Sequence, residues 1–221
     1  MLLISATPSP FARKVRIALL EKGVPFTIQN EVPWHTDTAT PRYNPLEQLP
    51  ILIPDEGEPI YESTFIMEWL EHTYPEPSML PADADGILEA KRIQVIAEGV
   101  MDATVQLFFE KQREHPSLEW ARRQLRKVVG GLRELDRRLA DRQFFVGNRF
   151  GLADIATVAV LGNQDLAAGV GMMVDWQALD PTIDDWRKLY GNLRRFDAQL
   201  RDRPSVRDTA PVMFKLEEKV V

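Results

Sequence analysis

Cysteine is absent from the 221-residue chain. Its absence excludes disulfides, thiolate metal sites and any cysteine nucleophile. A cytoplasmic protein needs no disulfides, so the absence fits that compartment. Histidine is scarce: His35, His72 and His115 stand far apart, without the spacing of metal ligands. An excess of positive charge is also missing. The formal net charge is -6, so the chain as a whole lacks the basic footprint of a nucleic-acid binder. No apolar run approaches the roughly 20 residues that span a bilayer. Met1 to Ser5 is too short and too uncharged for a signal peptide. Together these gaps predict a soluble, cytoplasmic protein with no metal, no membrane association and no nucleic-acid partner. Internal repeats and low-complexity tracts are absent as well.

What is present falls into two halves. Residues 1–75 change period quickly. Leu2 to Ala6 reads as a short buried strand. Phe11, Val15, Ala18 and Leu19 lie on one face of a basic helix that Gly23 stops. Phe26 to Val32 alternates like a strand, and Pro33 to Pro45 reads as loop, broken at Asn44-Pro45. Leu49 to Ile53 and Pro59 to Tyr61 read as two further strands around an acidic turn. Ser63 is expected to cap a helix whose Ile66, Trp69, Leu70 and Thr73 face inward. The order is β-α-β followed by β-β-α, one mixed four-stranded sheet with helices against it.

Beyond Pro75 the strand signals vanish. Helices are expected over residues 87–115, over 117–142, after Gly151 and over about 183–202. The second carries Leu125, Val128, Val129, Leu132, Leu135 and Leu139 at spacings of three and four. Its other face holds Arg122, Arg123, Arg126, Lys127, Arg133, Arg137, Arg138 and Arg142. Glu134, Asp136 and Asp141 interrupt that face, which reads as solvated. Asp184-Asp185 at a helix start suits the macrodipole. The domains are therefore drawn as residues 1–78, a linker at 79–86 and an all-helical region at 87–221.

Three short stretches carry chemistry. Ser9-Pro10 joins a favoured N-cap to a favoured first helical residue, so it can be purely structural. The same hydroxyl at a helix N-terminus can also stabilise an anion, because the free N–H groups and the macrodipole favour negative charge there. Leu49-Pro50 opens a strand, where a proline's missing N–H is tolerated. A cis bond there turns the Leu49 N–H and C=O outward toward an extended peptide; a trans bond makes it an ordinary edge proline. Glu62-Ser63 sets a carboxylate beside a helix start, a receptor for an amino-acid zwitterion or simply a surface acid beside a cap. Thr7 and Ser5 are competing hydroxyls, but only Ser9 immediately precedes the helix.

Taken together, "SPFARKVRIALLEKG", "NPLEQLPIL" and "YESTFIMEWLE" resemble the glutathione transferase family, and the helical second half extends the resemblance over nearly the whole chain. It implies an α/β thioredoxin-like N-terminal domain followed by an all-α helical bundle. It also implies a glutathione-dependent transferase, with glutathione as co-substrate, a serine-type active site and a role in detoxification. Ser9 stands at the catalytic position. Phe11 lies beside the sulfur, Gln48, Leu49 and Pro50 along the tripeptide backbone, and Glu62 and Ser63 at its γ-glutamyl end. Phe150 to Ile155 resembles the N-capping box of the family's second domain, with Gly151 where Ser or Thr is usual.

The chain departs from the pattern at Gln48, where many relatives carry a lysine facing the glycine carboxylate. Trp34, His35 or Arg42 are candidates to compensate. The second substrate is expected to be a small hydrophobic electrophile. It would bind between the domains, against the helix holding Met101, Val105, Phe108 and Phe109, residues that serve equally as plain core. The expected reactions are conjugation, dehalogenation, ether cleavage or isomerisation. A homodimer is implied by resemblance. The alternative is a non-catalytic binding or regulatory protein that has kept the scaffold.

Overall fold

A computed structural model describes residues 1–171, 177–181 and 185–214. It divides the chain into two compact units, Met1–Met79 with Arg203–Phe214, and Leu80–Asp202.

The first unit is built on β1 (Leu2–Ser5), β2 (Thr27–Asn30), β3 (Ile51–Ile53) and β4 (Ile60–Tyr61), in the order β2-β1-β3-β4. β1 runs parallel to β2 and antiparallel to β3, and β3 runs antiparallel to β4. β1 and β3 are the inner strands, and Leu3, Ile4 and Ser5 of β1 are wholly buried. β2 is an exposed edge strand, shorter than the alternation from Phe26 to Val32 suggests. Helix α1 (Pro10–Glu21), the single turn α2 (Thr40–Tyr43) and helix α3 (Ser63–Thr73) complete the α/β layer. Ile66, Met67 and Leu70 form the buried face of α3, whereas Thr73 is exposed rather than inward.

α1 is more than amphipathic. Val15, Ala18 and Leu19 of the expected face are buried and Phe11 is half-buried, but Ile17, Arg13, Lys14 and Arg16 are buried as well. Burying such groups requires partners, and the fold supplies them except at Arg16 Nε, which has no hydrogen-bond partner among the described residues. Lys14 Nζ donates to Thr64 Oγ1 of α3 at 3.4 Å. Lys22 Nζ, fully buried, pairs with Glu71 at 2.9 Å and donates to the carbonyls of Tyr74 and Pro77. Arg13 Nη2 donates to Val206 O at 3.1 Å. Arg203 meets Glu21 in a two-pronged ion pair at 2.7 and 2.6 Å, and Ser205 also donates to Glu21.

Those last contacts correct the sequence reading of the C-terminal segment. It assigns everything after 87 to the helical region. Arg13 and Glu21 of α1 instead draw Arg203–Phe214, with the short helix α9 (Pro204–Arg207), into the first unit.

The second unit contains α4 (Ala84–Gln112), α5 (Leu118–Leu139), α6 (Leu152–Gly169), α7 (Trp186–Leu189) and α8 (Gly191–Leu200). α4 begins inside the stretch read as linker, because Asp83 caps it by accepting from Gly86 N at 2.8 Å. Leu125, Val128, Leu132, Leu135 and Leu139 of α5 are buried as a stripe. Each fully buried leucine contributes roughly 1.5–3 kcal/mol. The exposed face of α5 carries Arg122, Arg123, Arg126, Lys127, Arg133 and Arg137, as the charge pattern predicts.

Gly131 lies at a close approach of α4 and α5: a Cβ there would run into Val100 Cγ2. The helix expected over 183–202 is interrupted at Tyr190 into α7 and α8, and residues 183–184 lie outside the described part. Asp185 caps α7 through Arg187 N. α8 has no cap of its own; Asp136 of α5 accepts from Asn192 N and Leu193 N instead. Asp154 is buried at the start of α6 and accepts from Gly151 N and Phe145 N, both at 2.9 Å. With glycine at the cap position, only this half of a capping box exists. No helix among the described residues is long and apolar enough to cross a membrane.

Candidate active site

Strand register decides which loops share an end of the sheet. Ile4 of β1 lies opposite Ile51 of β3, and Ile51 lies opposite Tyr61 of β4. The C-terminal end of β1, the start of β3 and the C-terminal end of β4 therefore fall side by side. Neighbouring strands are about 4.8 Å apart. The segment leading to Ser9, the Leu49-Pro50 pair and the Glu62-Ser63 pair thus emerge at one end, though they are far apart in sequence.

Ser9 caps α1. Its Oγ accepts from Ala12 N at 3.2 Å, and its backbone N–H donates to Ala6 O. A hydroxyl has one proton and two lone pairs. The cap uses a lone pair, so the proton remains to be given. The structural and chemical roles of Ser9 are compatible. Ser9 is half-buried, whereas Ser5 is wholly buried in β1 with no partner for its Oγ among the described residues. That burial removes Ser5 as a rival. Phe11, in the first turn of α1, is half-buried.

The Leu49-Pro50 bond is cis. Pro50 is buried, Leu49 half-buried and Gln48 exposed. Neither the N–H nor the C=O of Leu49 has a hydrogen bond among the described residues. The turn before it is organised by Asn44, a buried side chain that sequence reading treats only as a helix breaker. Of the loop candidates, Trp34 packs edge-on against Phe214, and His35 Nε2 is buried without a hydrogen-bond partner among the described residues. Arg42 lies exposed at the end of α2.

At the third segment the expected cap is wrong. Glu62, not Ser63, caps α3: its carboxylate accepts from Thr64 N at 3.0 Å and Phe65 N at 3.4 Å. The long side chain reaches back because Glu62 holds φ 67°, ψ 120°, a conformation costly for any residue but glycine. Ser63 becomes the first helical residue, buried, with its hydroxyl donating to Glu62 at 3.3 Å. The Glu62 carboxylate is exposed and fixed in direction by two N–H groups. Such strain gathers where geometry matters more than stability.

Residues 8–73 match the family model for the glutathione S-transferase N-terminal domain, and residues 119–204 match the model for its C-terminal domain. The chain belongs to the glutathione S-transferase family. A probable glutathione S-transferase from Nicotiana tabacum is 32% identical over 199 residues, 88% of this chain and 85% of that protein. A glutathione S-transferase from Methylobacterium radiotolerans, solved in complex with glutathione sulfonate, is 45% identical. It covers 100% of this chain and 99% of its own, with a TM-score of 0.90. A glutathione S-transferase from Methylobacillus flagellatus with glutathione bound is 33% identical, covering 96% and 99%, with a TM-score of 0.82.

As a glutathione S-transferase, the chain has the expected thioredoxin-like sheet followed by the helical region. In that second unit, Met101 is buried, Val105, Phe108 and Phe109 are half-buried, and the two phenylalanine rings meet edge-on at 5.4 Å. No group of three or more His, Asp or Glu side chains able to hold a metal ion occurs among the described residues.

Proposed function

We propose that this transferase holds glutathione with its sulfur at the start of α1 and activates it as a thiolate. The thiolate then attacks a small hydrophobic electrophile. The observation that carries this reading is the state of the Ser9 hydroxyl: its oxygen accepts from Ala12 N, and its proton is left to donate. A donor aimed at sulfur favours the charged form and lowers the thiol pKa. The adjacent helix N-terminus adds to the effect. The thiolate is the nucleophile. The protein contributes positioning and electrostatics and forms no covalent intermediate. Glutathione sulfonate, the ligand of the 45%-identical relative, carries an anionic sulfonate group in place of the thiol.

In this arrangement the γ-glutamyl ammonium meets Glu62, and its carboxylate meets the start of α3 near Ser63. The cysteinyl backbone pairs with Leu49 above Pro50, and Phe11 lies beside the sulfur. Gln48 hydrogen-bonds the glycine carboxylate without contributing charge, so glutathione affinity is modest. The reaction is a conjugation, dehalogenation, ether cleavage or isomerisation. The protein works as a cytoplasmic homodimer in detoxification. A size-exclusion mass near the 25.3 kDa of one chain would contradict the dimer.

A second reading, a glutathione-binding protein without turnover, draws support from the uncharged, exposed Gln48. Retention on immobilised glutathione followed by conjugation assays over a panel of electrophiles separates the two. The enzyme reading expects turnover that Ser9→Ala lowers by about tenfold or more. Retention with no turnover, unchanged by Ser9→Ala, supports the binder.

A further inference from the structure

Asn44 is 1% exposed and makes two side-chain hydrogen bonds within its own turn. Its Oδ1 accepts from Leu46 N at 2.9 Å, and its Nδ2 donates to Gln48 O at 2.8 Å. An amide group can serve a donor on one side and an acceptor on the other only in this orientation. Its backbone is held too: Asn44 N donates to Thr40 O, and Asn44 O accepts from Glu47 N. Glu47 sits at φ 53°, which turns the chain back so that the Gln48 carbonyl faces Asn44.

The Gln48–Leu49 peptide is trans. In a planar trans peptide the C=O and the N–H of the same unit point in opposite directions. A Gln48 carbonyl anchored on a buried side chain therefore aims the Leu49 N–H away from it. That N–H has no partner within the described residues. The geometry points to Asn44 as the positioning residue that aims the Leu49 amide at the cysteinyl carbonyl of glutathione. This rests on the proposed binding mode and adds a residue that acts through Leu49 without touching the ligand.

Asn44→Asp is the discriminating change. Its carboxylate still accepts from Leu46 N but cannot donate to Gln48 O, and it repels that carbonyl. Calorimetric titration with glutathione at neutral pH is expected to show affinity about tenfold weaker than wild type. KM for glutathione rises in step, while kcat at saturating glutathione stays within about twofold. As pH falls into the carboxyl range, about 4, the introduced carboxyl takes up a proton and can donate again. The gap from wild type should then close. A role confined to stability would move neither the KM-to-kcat split nor this pH dependence. Affinity within twofold of wild type at neutral pH overturns the inference.

A measurement on the unaltered protein covers a variant that fails to fold. Hydrogen exchange of the Leu49 amide should be fast in the free protein and slow with glutathione, with the Leu46 amide protected throughout. An unchanged Leu49 amide, in a protein that binds glutathione, overturns the inference alone. Failure of the wild type to bind glutathione overturns the binding mode beneath it.

Discussion

α1 and α5 are both rich in arginine and lysine, and they treat that charge in opposite ways. α5 turns Arg122, Arg123, Arg126 and Arg133 to water and packs a leucine stripe inward. α1 buries Arg13, Lys14 and Arg16, and the fully buried Lys22 follows directly after it. The difference lies in what covers each helix. A carbonyl of the returning C-terminal chain meets Arg13, Thr64 of α3 meets Lys14, and Glu71 of α3 with a carbonyl of the segment after it meets Lys22. The charges of α5 are left mainly to neighbours on its own face, such as Glu134 between Arg137 and Arg138. Hydrogen bonds from Arg137 lead in pulling the Glu134 carboxyl down to about 2. A basic helix is thus a solvated face in one unit and an anchoring core element in the other.

The contrast can be broken most sharply at Lys22. Lys22→Ala leaves Glu71 and two carbonyls without their buried partner, and removing one member of a buried pair costs about 3–5 kcal/mol. Arg126→Ala, on the exposed face of α5, is expected to stay within about 0.5 kcal/mol. Urea unfolding of the two variants checks both. Equal losses would erase the distinction.

Two adjacent glycines of α5 probe its packed and its exposed side, Gly131 facing α4 and Gly130 exposed. A methyl group at Gly131 meets the stiff side chain of Val100, whereas at Gly130 it meets nothing within 4 Å. Gly131→Ala is expected to destabilise by about 1–3 kcal/mol through overpacking. Gly130→Ala is expected to stabilise by up to about 1 kcal/mol through helix propensity. Thermal unfolding should move in opposite directions for the pair.

The smallest effect is expected at Glu21. Burial alone would raise its carboxyl pKa, but hydrogen bonds from Arg203 and Ser205 and the charge of Arg203 outweigh it and hold the pKa low. A lowered folded-state pKa contributes stability above the unfolded value, about 4.3. That contribution is lost as pH falls through the folded value. Wild type should therefore lose stability on acidification below about pH 4 more steeply than Glu21→Gln. Urea midpoints at several pH values measure this. Parallel curves would show that the ion pair holding the C-terminal segment carries no net stability.

Much of this architecture was legible in the residues. The leucine spacing of α5, the Ser9-Pro10 start of α1 and the strand beginning near Leu49 follow from period and capping rules that act locally. The Glu62 cap was not legible, because Ser63 is the better cap by intrinsic preference. Only Glu62's own backbone conformation, at φ 67°, lets the longer acid reach two N–H groups. Nor was Asn44, since Asn-Pro reads as a breaker and its bonds depend on the turn closing at Glu47. The return of Arg203–Phe214 to α1 rests on partners 182 residues apart in sequence, Glu21 and Arg203. No local pattern records such a pairing.

The central claim is that the Ser9 hydroxyl holds glutathione's sulfur as a thiolate, and ultraviolet titration of thiolate absorbance in the glutathione complex tests it most directly. The bound thiol is predicted to ionise well below free glutathione, and a Ser9→Ala complex, still occupied, to return toward the free value. Superimposable titrations for the two complexes would contradict it.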